Sequence, residues 1–281
     1  MGAAMRVMGR ETTAQKRDIE LFDAVYRGAL GRFSERVGGL DESAWRGEAG
    51  DGLYRSLAHL AVAQENGLAL MKASLSRRIG SSDGAAAPAS SEADFMERES
   101  NGLLDLIQQT AEEQLRLLLA LPDDGLLELP VSVPEWRQRG QVRHLYDHMY
   151  VHLVYHYQEI RTEVGAGKLP HWFEEWMPEA SNDFYDRLFR LLPLLYEPEA
   201  LGETEEARVC VDLTQPGGGR WELVLDRAQA RSDIGCGAGA TTTIKATPRK
   251  FFDSFQAKGA RLKVRGERAA ANNLRALFPL T

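Results

Sequence analysis

Residues 143–161 read RHLYDHMYVHLVYHYQEIR and carry four of the six histidines of this 281-residue chain: His144, His148, His152 and His156. Each stands four residues from the next, so on a helix they form a slowly turning stripe that drifts about 40° per step. With His144 at zero, Val142, Leu145, Met149, Leu153 and Ile160 cluster between about 100° and 180°, which defines an apolar face. His156 falls inside that face and His152 on its edge. His144 and His148 fall outside it and are expected to be solvated or supporting residues.

Two histidines at i and i+4 can present neutral imidazole nitrogens to one divalent metal. A third ligand then has to come from another helix. His59, in SLAHLAVAQE, is the only histidine on the preceding helices, and Ser56, Ala63 and Leu70 share its face. Three protein ligands with an open position suit a catalytic zinc ion. Such an ion acidifies water or a thiol and polarises a carbonyl. Glu159 lies about 60° round the helix and is expected either to orient a ligand histidine or to act as a base.

Outward from this window, hydrophobic periodicity predicts four helices in the first half of the chain. They cover Thr12 to Val37, Asp51 to Ile79, Ala93 to Leu121 and Gln141 to Val164, the last stopped by Gly165-Ala166-Gly167. Between the second and third lies GSSDGAAAPASSEAD, a small-residue tract expected to be a flexible surface loop. The prolines of LPVSVPEW discourage a helix before the fourth. After Pro170 the composition changes. HWFEEWMPEA reads as an aromatic connector and Phe184 to Tyr196 as one more helix. ARVCVDL, GRWELVLD, TTTIKAT and LKVRG then read as strands, PRKFFDSFQAK and ERAAANNLRALF as helices. The expected architecture is an all-α four-helix bundle over 1–170 and a smaller α+β domain over 180–281.

A net charge of −7 argues against a general nucleic-acid binder, which needs clustered Lys and Arg. No run of 18 apolar residues suggests a membrane span, and the start lacks the apolar core of a signal peptide, so the cytoplasm is the expected compartment. Cys210 and Cys236 form no CxxC, and a disulfide between them is allowed but not implied.

SLAHLAVAQE after Trp45, followed far downstream by HLVYHYQEI, resembles the DinB-like metal-binding helical bundles. The resemblance implies a histidine triad, one from the second helix and two from an HxxxH on the last, which His59, His152 and His156 match. GRWELVLD and TTTIKATPRKFFDSFQAKGARLKVRGERAAANNLRALF resemble a sterol-carrier-like domain, in which a twisted sheet and helices surround an apolar groove. The two together resemble the mycothiol-dependent maleylpyruvate isomerase family across nearly the whole chain. In those isomerases one ligand on the last helix is typically a Glu with a His four residues later. Here that position is His152, so the set becomes three neutral ligands.

The resemblance implies a metal-dependent enzyme, with zinc as metal and a mycothiol-like low-molecular-weight thiol as cofactor. It would carry out thiol transfer or isomerisation on a small electrophilic substrate. Arg220, Arg249 and Arg265 are available to pair with substrate carboxylates. Metal-dependent hydrolysis and non-enzymatic binding of a lipid or apolar ligand stand as alternatives, and a homodimer is left open.

Overall fold

The computed structural model describes residues 2–46, 52–79, 91–121, 124–165, 168–174, 178–256 and 262–280. The chain forms two compact units. The first comprises Met1–Val131 and Gln141–Pro170, the second Ser132–Gly140 and His171–Thr281.

Four long helices make the first unit: α1 (Gly2–Val37), α3 (Gly52–Ile79), α5 (Ser100–Leu119) and α6 (Val142–Val164). Their apolar residues recur every three or four positions and meet in one core. Phe22, Tyr26, Leu30 and Phe33 of α1, Leu53, Leu57, Leu60 and Met71 of α3, and Leu103, Ile107, Leu115 and Leu118 of α5 are all buried. Both α1 and α3 touch α5 and α6. The α3–α6 contact is close: a Cβ at Gly67 would lie 2.7 Å from the Met149 sulfur.

The third expected helix is corrected, because it is interrupted. A short α4 (Glu92–Phe95) opens on a capping box between Ser91 and Asp94. After the buried Phe95 the chain turns and restarts as α5 at Ser100. Glu42, which opens the short α2 (Glu42–Trp45), accepts from the Ser100 backbone N–H at 3.1 Å and from its hydroxyl at 2.6 Å. That carboxylate satisfies an otherwise orphaned helix-start donor from a distant point in the sequence. The small-residue tract at 80–90, expected to be a flexible loop, lies outside the described residues.

Two-residue strands β1 (Pro130–Val131) and β2 (Gly140–Gln141) flank the segment 132–139. Much of that segment packs in the second unit. Arg137 donates its backbone N–H to Leu194 at 2.8 Å, and Trp136 is buried. The helix α7 (Pro178–Leu191) starts six residues earlier than the periodicity suggested and gives way to a 3-10 turn at Leu192–Leu195. Pro193 explains the change, since it cannot donate to the preceding turn.

The sheet of this unit has strands β3 (Glu206–Leu213), β4 (Arg220–Asp226), β5 (Ala230–Ile234), β6 (Thr242–Ala246) and β7 (Lys263–Gly266) in the order β5-β4-β3-β6-β7. Only the β3–β6 pair is parallel. The strand β5, ARSDI, was not expected: only Ala230 of its five residues is buried, so it shows no clean apolar alternation. One face of the sheet packs on α7 and α8 (Pro248–Gln256) through aromatic rings. Trp221 stacks on Phe189 at 4.8 Å, and Phe189 on Phe251 at 5.8 Å. The expected single terminal helix is two short ones, α9 (Ala269–Asn272) and α10 (Leu274–Leu277), separated at Asn273.

Candidate metal centre

Helix α6 runs unbroken from Val142 and ends at Gly165, whose φ of 109° is open to glycine and unfavourable for other residues. At its start the Gln141 backbone N–H donates to His144 Nδ1 at 3.1 Å. His144 therefore serves the helix terminus.

One turn on, His148 is not solvated, the first of its two expected roles. It is buried, and its ring centroid lies 5.0 Å from that of His152. The apolar stripe underestimates the burial of α6, because Tyr146, Tyr150, Val151, Val154 and Tyr157 line the other side of the helix and are buried too. Tyrosine reads as half polar in a sequence, yet it buries fully when its hydroxyl finds a partner. The Tyr146 hydroxyl finds one in the Gln114 carbonyl at 3.2 Å.

His59, His152 and His156 come together. One nitrogen from each lies within 4.8 Å of the others. The ring centroid of His59 stands 5.2 Å from that of His152 and 5.0 Å from that of His156. The Nε2 atoms of His152 and His156 face each other at 2.7 Å. Two nitrogens so close need a shared proton or a common cation between them.

The opposite edge of His156 is fixed. Its Nδ1 lies 2.6 Å from Glu159 Oε2, and the Ser56 hydroxyl donates to the same oxygen at 3.5 Å. A carboxylate there keeps the proton on Nδ1 and leaves the Nε2 lone pair for the cluster. Glu159 thus contacts His156 directly, the geometry that an orienting role requires.

On α3, His59 Nδ1 lies 3.8 Å from Glu92, which also pairs with Arg55 at 3.3 Å. Sequence reasoning missed Glu92. It sits at the end of the small-residue tract, far in sequence from any ligand, and nothing local marks it.

The donors are suited to a cation. Burial, reinforced by His156, His148 and His59, holds the His152 pKa well below its ordinary value. Burial, with repulsion from His156 and His59, lowers that of His148 to about 4. Both rings are therefore neutral at pH 7, the form that ligates metals. His152 and His156 are buried, while the His59 side chain is 39% exposed, so the cluster opens to solvent on the α3 side. The donor set fits a divalent ion that takes nitrogen ligands.

The three arginines offered for substrate carboxylates belong to the second unit. Arg249 pairs with Glu174 at 2.7 Å and approaches Asp253 at 4.0 Å, while Arg220 approaches the sulfur of Cys210 at 3.9 Å. Arg265 lies across from Thr243 in the sheet.

Among solved structures, the chain superposes on a mycothiol-dependent maleylpyruvate isomerase with a TM-score of 0.54 and 10% identity, over 89% of this chain and 94% of the other. The chain has this isomerase fold. A histidine-to-alanine mutant of the mycothiol-dependent maleylpyruvate isomerase also matches, with a TM-score of 0.49 and 13% identity over the same shares. No protein-family model matches the chain, and no curated protein sequence does. The likeness to the isomerase is thus one of fold. No helix among the described residues is long and apolar enough to cross a membrane.

Proposed function

We propose that the first unit is a DinB-like four-helix bundle holding one divalent metal, zinc by its donor set, on His59, His152 and His156. In this reading the second unit is sterol-carrier-like. The chain acts as an enzyme that uses a low-molecular-weight thiol, of the mycothiol class, for transfer to or isomerisation of a small electrophilic substrate. The observation that carries the reading is the convergence of three imidazoles from α3 and α6, two of them buried, with a carboxylate behind His156. The isomerase fold, shared with an enzyme whose name states mycothiol dependence, supports the thiol.

Zinc in such a site lowers the pKa of a bound thiol and polarises an acceptor carbonyl. The protein's own residues supply the rest. Glu159 orients His156 and keeps its cluster-facing nitrogen free of a proton. His152 stays neutral through burial. Because no ligand carries a negative charge, the site keeps the full charge of the ion, which favours an anionic sulfur partner. The exposed side of His59 gives the thiol and substrate their approach.

Calorimetric titration of mycothiol and of glutathione into zinc-loaded and chelator-stripped protein tests this. Binding with proton release to the loaded protein alone is expected. Binding of neither thiol to the loaded protein would overturn the thiol reading and leave metal-dependent hydrolysis as the enzyme reading to pursue.

A further inference from the structure

The second unit contains a disulfide between Cys210, on β3, and Cys236, just after β5. The spacing of the two cysteines left this pairing open, and the sheet order explains why it forms. The β5 strand lies at one edge of the sheet, while β6 pairs with β3 on the other side of β4. Residues 235–241 therefore have to cross back over β4 and β3.

The glycines of this stretch allow a close crossing. A Cβ at Gly237 would sit 3.3 Å from the Glu222 carboxylate, and one at Gly239 would sit 3.6 Å from Arg208. Beneath the crossing, Cys210 and Glu222 face each other in register on the outer side of the sheet, and both are buried. One oxygen of Glu222 is buried without a hydrogen-bond partner.

The two cysteines differ in exposure. Cys210 is 2% exposed, whereas Cys236 is half-buried in a run whose neighbours Asp233, Ile234, Gly237, Ala238 and Gly239 are exposed. Of the charged groups facing the bond, the Arg220 guanidinium reaches the Cys210 sulfur at 3.9 Å. Glu222, across from Cys210, carries the opposite charge and works against it.

In thiol–disulfide exchange the nucleophile attacks the accessible sulfur, and the reaction runs faster when the departing sulfur is the better-stabilised thiolate. Exposure thus selects Cys236 as the sulfur attacked, and the guanidinium offsets part of what burial and Glu222 cost the departing Cys210 thiolate.

We propose that Cys236 is a site of covalent modification by low-molecular-weight thiols. The thiolate electron pair of the incoming thiol forms a new S–S bond to Cys236, and the Cys210–Cys236 bond breaks. Cys210 departs with the bonding pair as a thiolate beside Arg220. No oxidant or reductant is consumed in this step. Its product carries the thiol on the exposed crossing segment and releases that segment from β3. The inference does not rest on the metal-centre reading, since the bond lies within the second unit and meets any such thiol.

Reduced glutathione is the probe. Full-length oxidised protein is incubated with it, quenched in acid, alkylated under denaturing conditions and peptide-mapped. Glutathione on Cys236 and the alkyl label on Cys210 are the expected result. The reverse assignment would overturn the proposal, as would a bond that exchanges only in denaturant. Arg220→Gln should slow adduct formation about threefold, because the departing thiolate loses its neighbouring cation. An unchanged rate would show that the guanidinium takes no part and would overturn the departure of Cys210 as a thiolate beside Arg220.

Discussion

His156 is gripped at both ring nitrogens, by Glu159 on one side and by the cluster on the other. His144, three turns earlier on the same helix, accepts the terminal backbone N–H of Gln141. The two therefore separate cleanly under mutation. His156→Ala should remove most bound metal, because two remaining ligands hold zinc poorly. His144→Ala should cost about 1 kcal/mol of stability, as for a lost cap, and leave metal content at the wild-type level. Elemental analysis of the purified variants reads both, and equal metal in the two would contradict the triad. The buried histidines also set a pH dependence. His148 has a folded pKa of about 4, below the ordinary 6.5 that an unfolded chain would show. Between those values the unfolded state binds more protons, so stability rises with pH through this window and is fully present above it. Metal-free protein acidified from pH 7 should lose about 3 kcal/mol across this window from His148 alone. Denaturant midpoints at several pH values measure this, and His148→Phe should flatten the curve.

At the scale of elements, the helices α3 and α6 were legible because their apolar residues repeat strongly, and the histidine pair at i and i+4 follows from that repeat. The break between α4 and α5 was not legible, since it depends on Glu42 capping a helix start 58 residues away. The burial of His148 was hidden for a similar reason: the side of α6 that looks half polar is lined by tyrosines whose partners lie on other helices. The segment 132–140 is another such case. Its prolines marked it as a connector, but Arg137 bonds to the distant Leu194, and the Trp136 ring and Leu194 both lie against Gly140. A fragment ending at Pro170 keeps all three histidines but leaves Trp136 without Leu194. It should remain helical and bind metal, yet self-associate through the exposed ring, and Trp136→Ser should restore a monomer. Circular dichroism, metal analysis and size-exclusion chromatography decide this. A folded fragment without metal would place a ligand beyond residue 170.

Across the whole molecule, the two units carry separate stabilising devices. The helical unit has the histidine cluster, and the sheet unit has a disulfide joining residues 26 apart. A ligand at about a thousand times its Kd adds about 4 kcal/mol to the unit that binds it. A disulfide closing a loop of this length adds up to about 3.5 kcal/mol by restricting the unfolded chain. Thermal unfolding should therefore show that a chelator lowers one transition and a phosphine reductant lowers a different one. A single transition moved by both agents would mean that the units unfold together. X-ray absorption at the metal edge observes the atoms around a bound zinc ion directly. Zinc-loaded protein should show imidazole nitrogens at about 2.0–2.1 Å with the ring scattering of about three histidines, and a sulfur at about 2.3 Å should join them when mycothiol is added. An oxygen-rich shell without imidazole scattering would contradict the account.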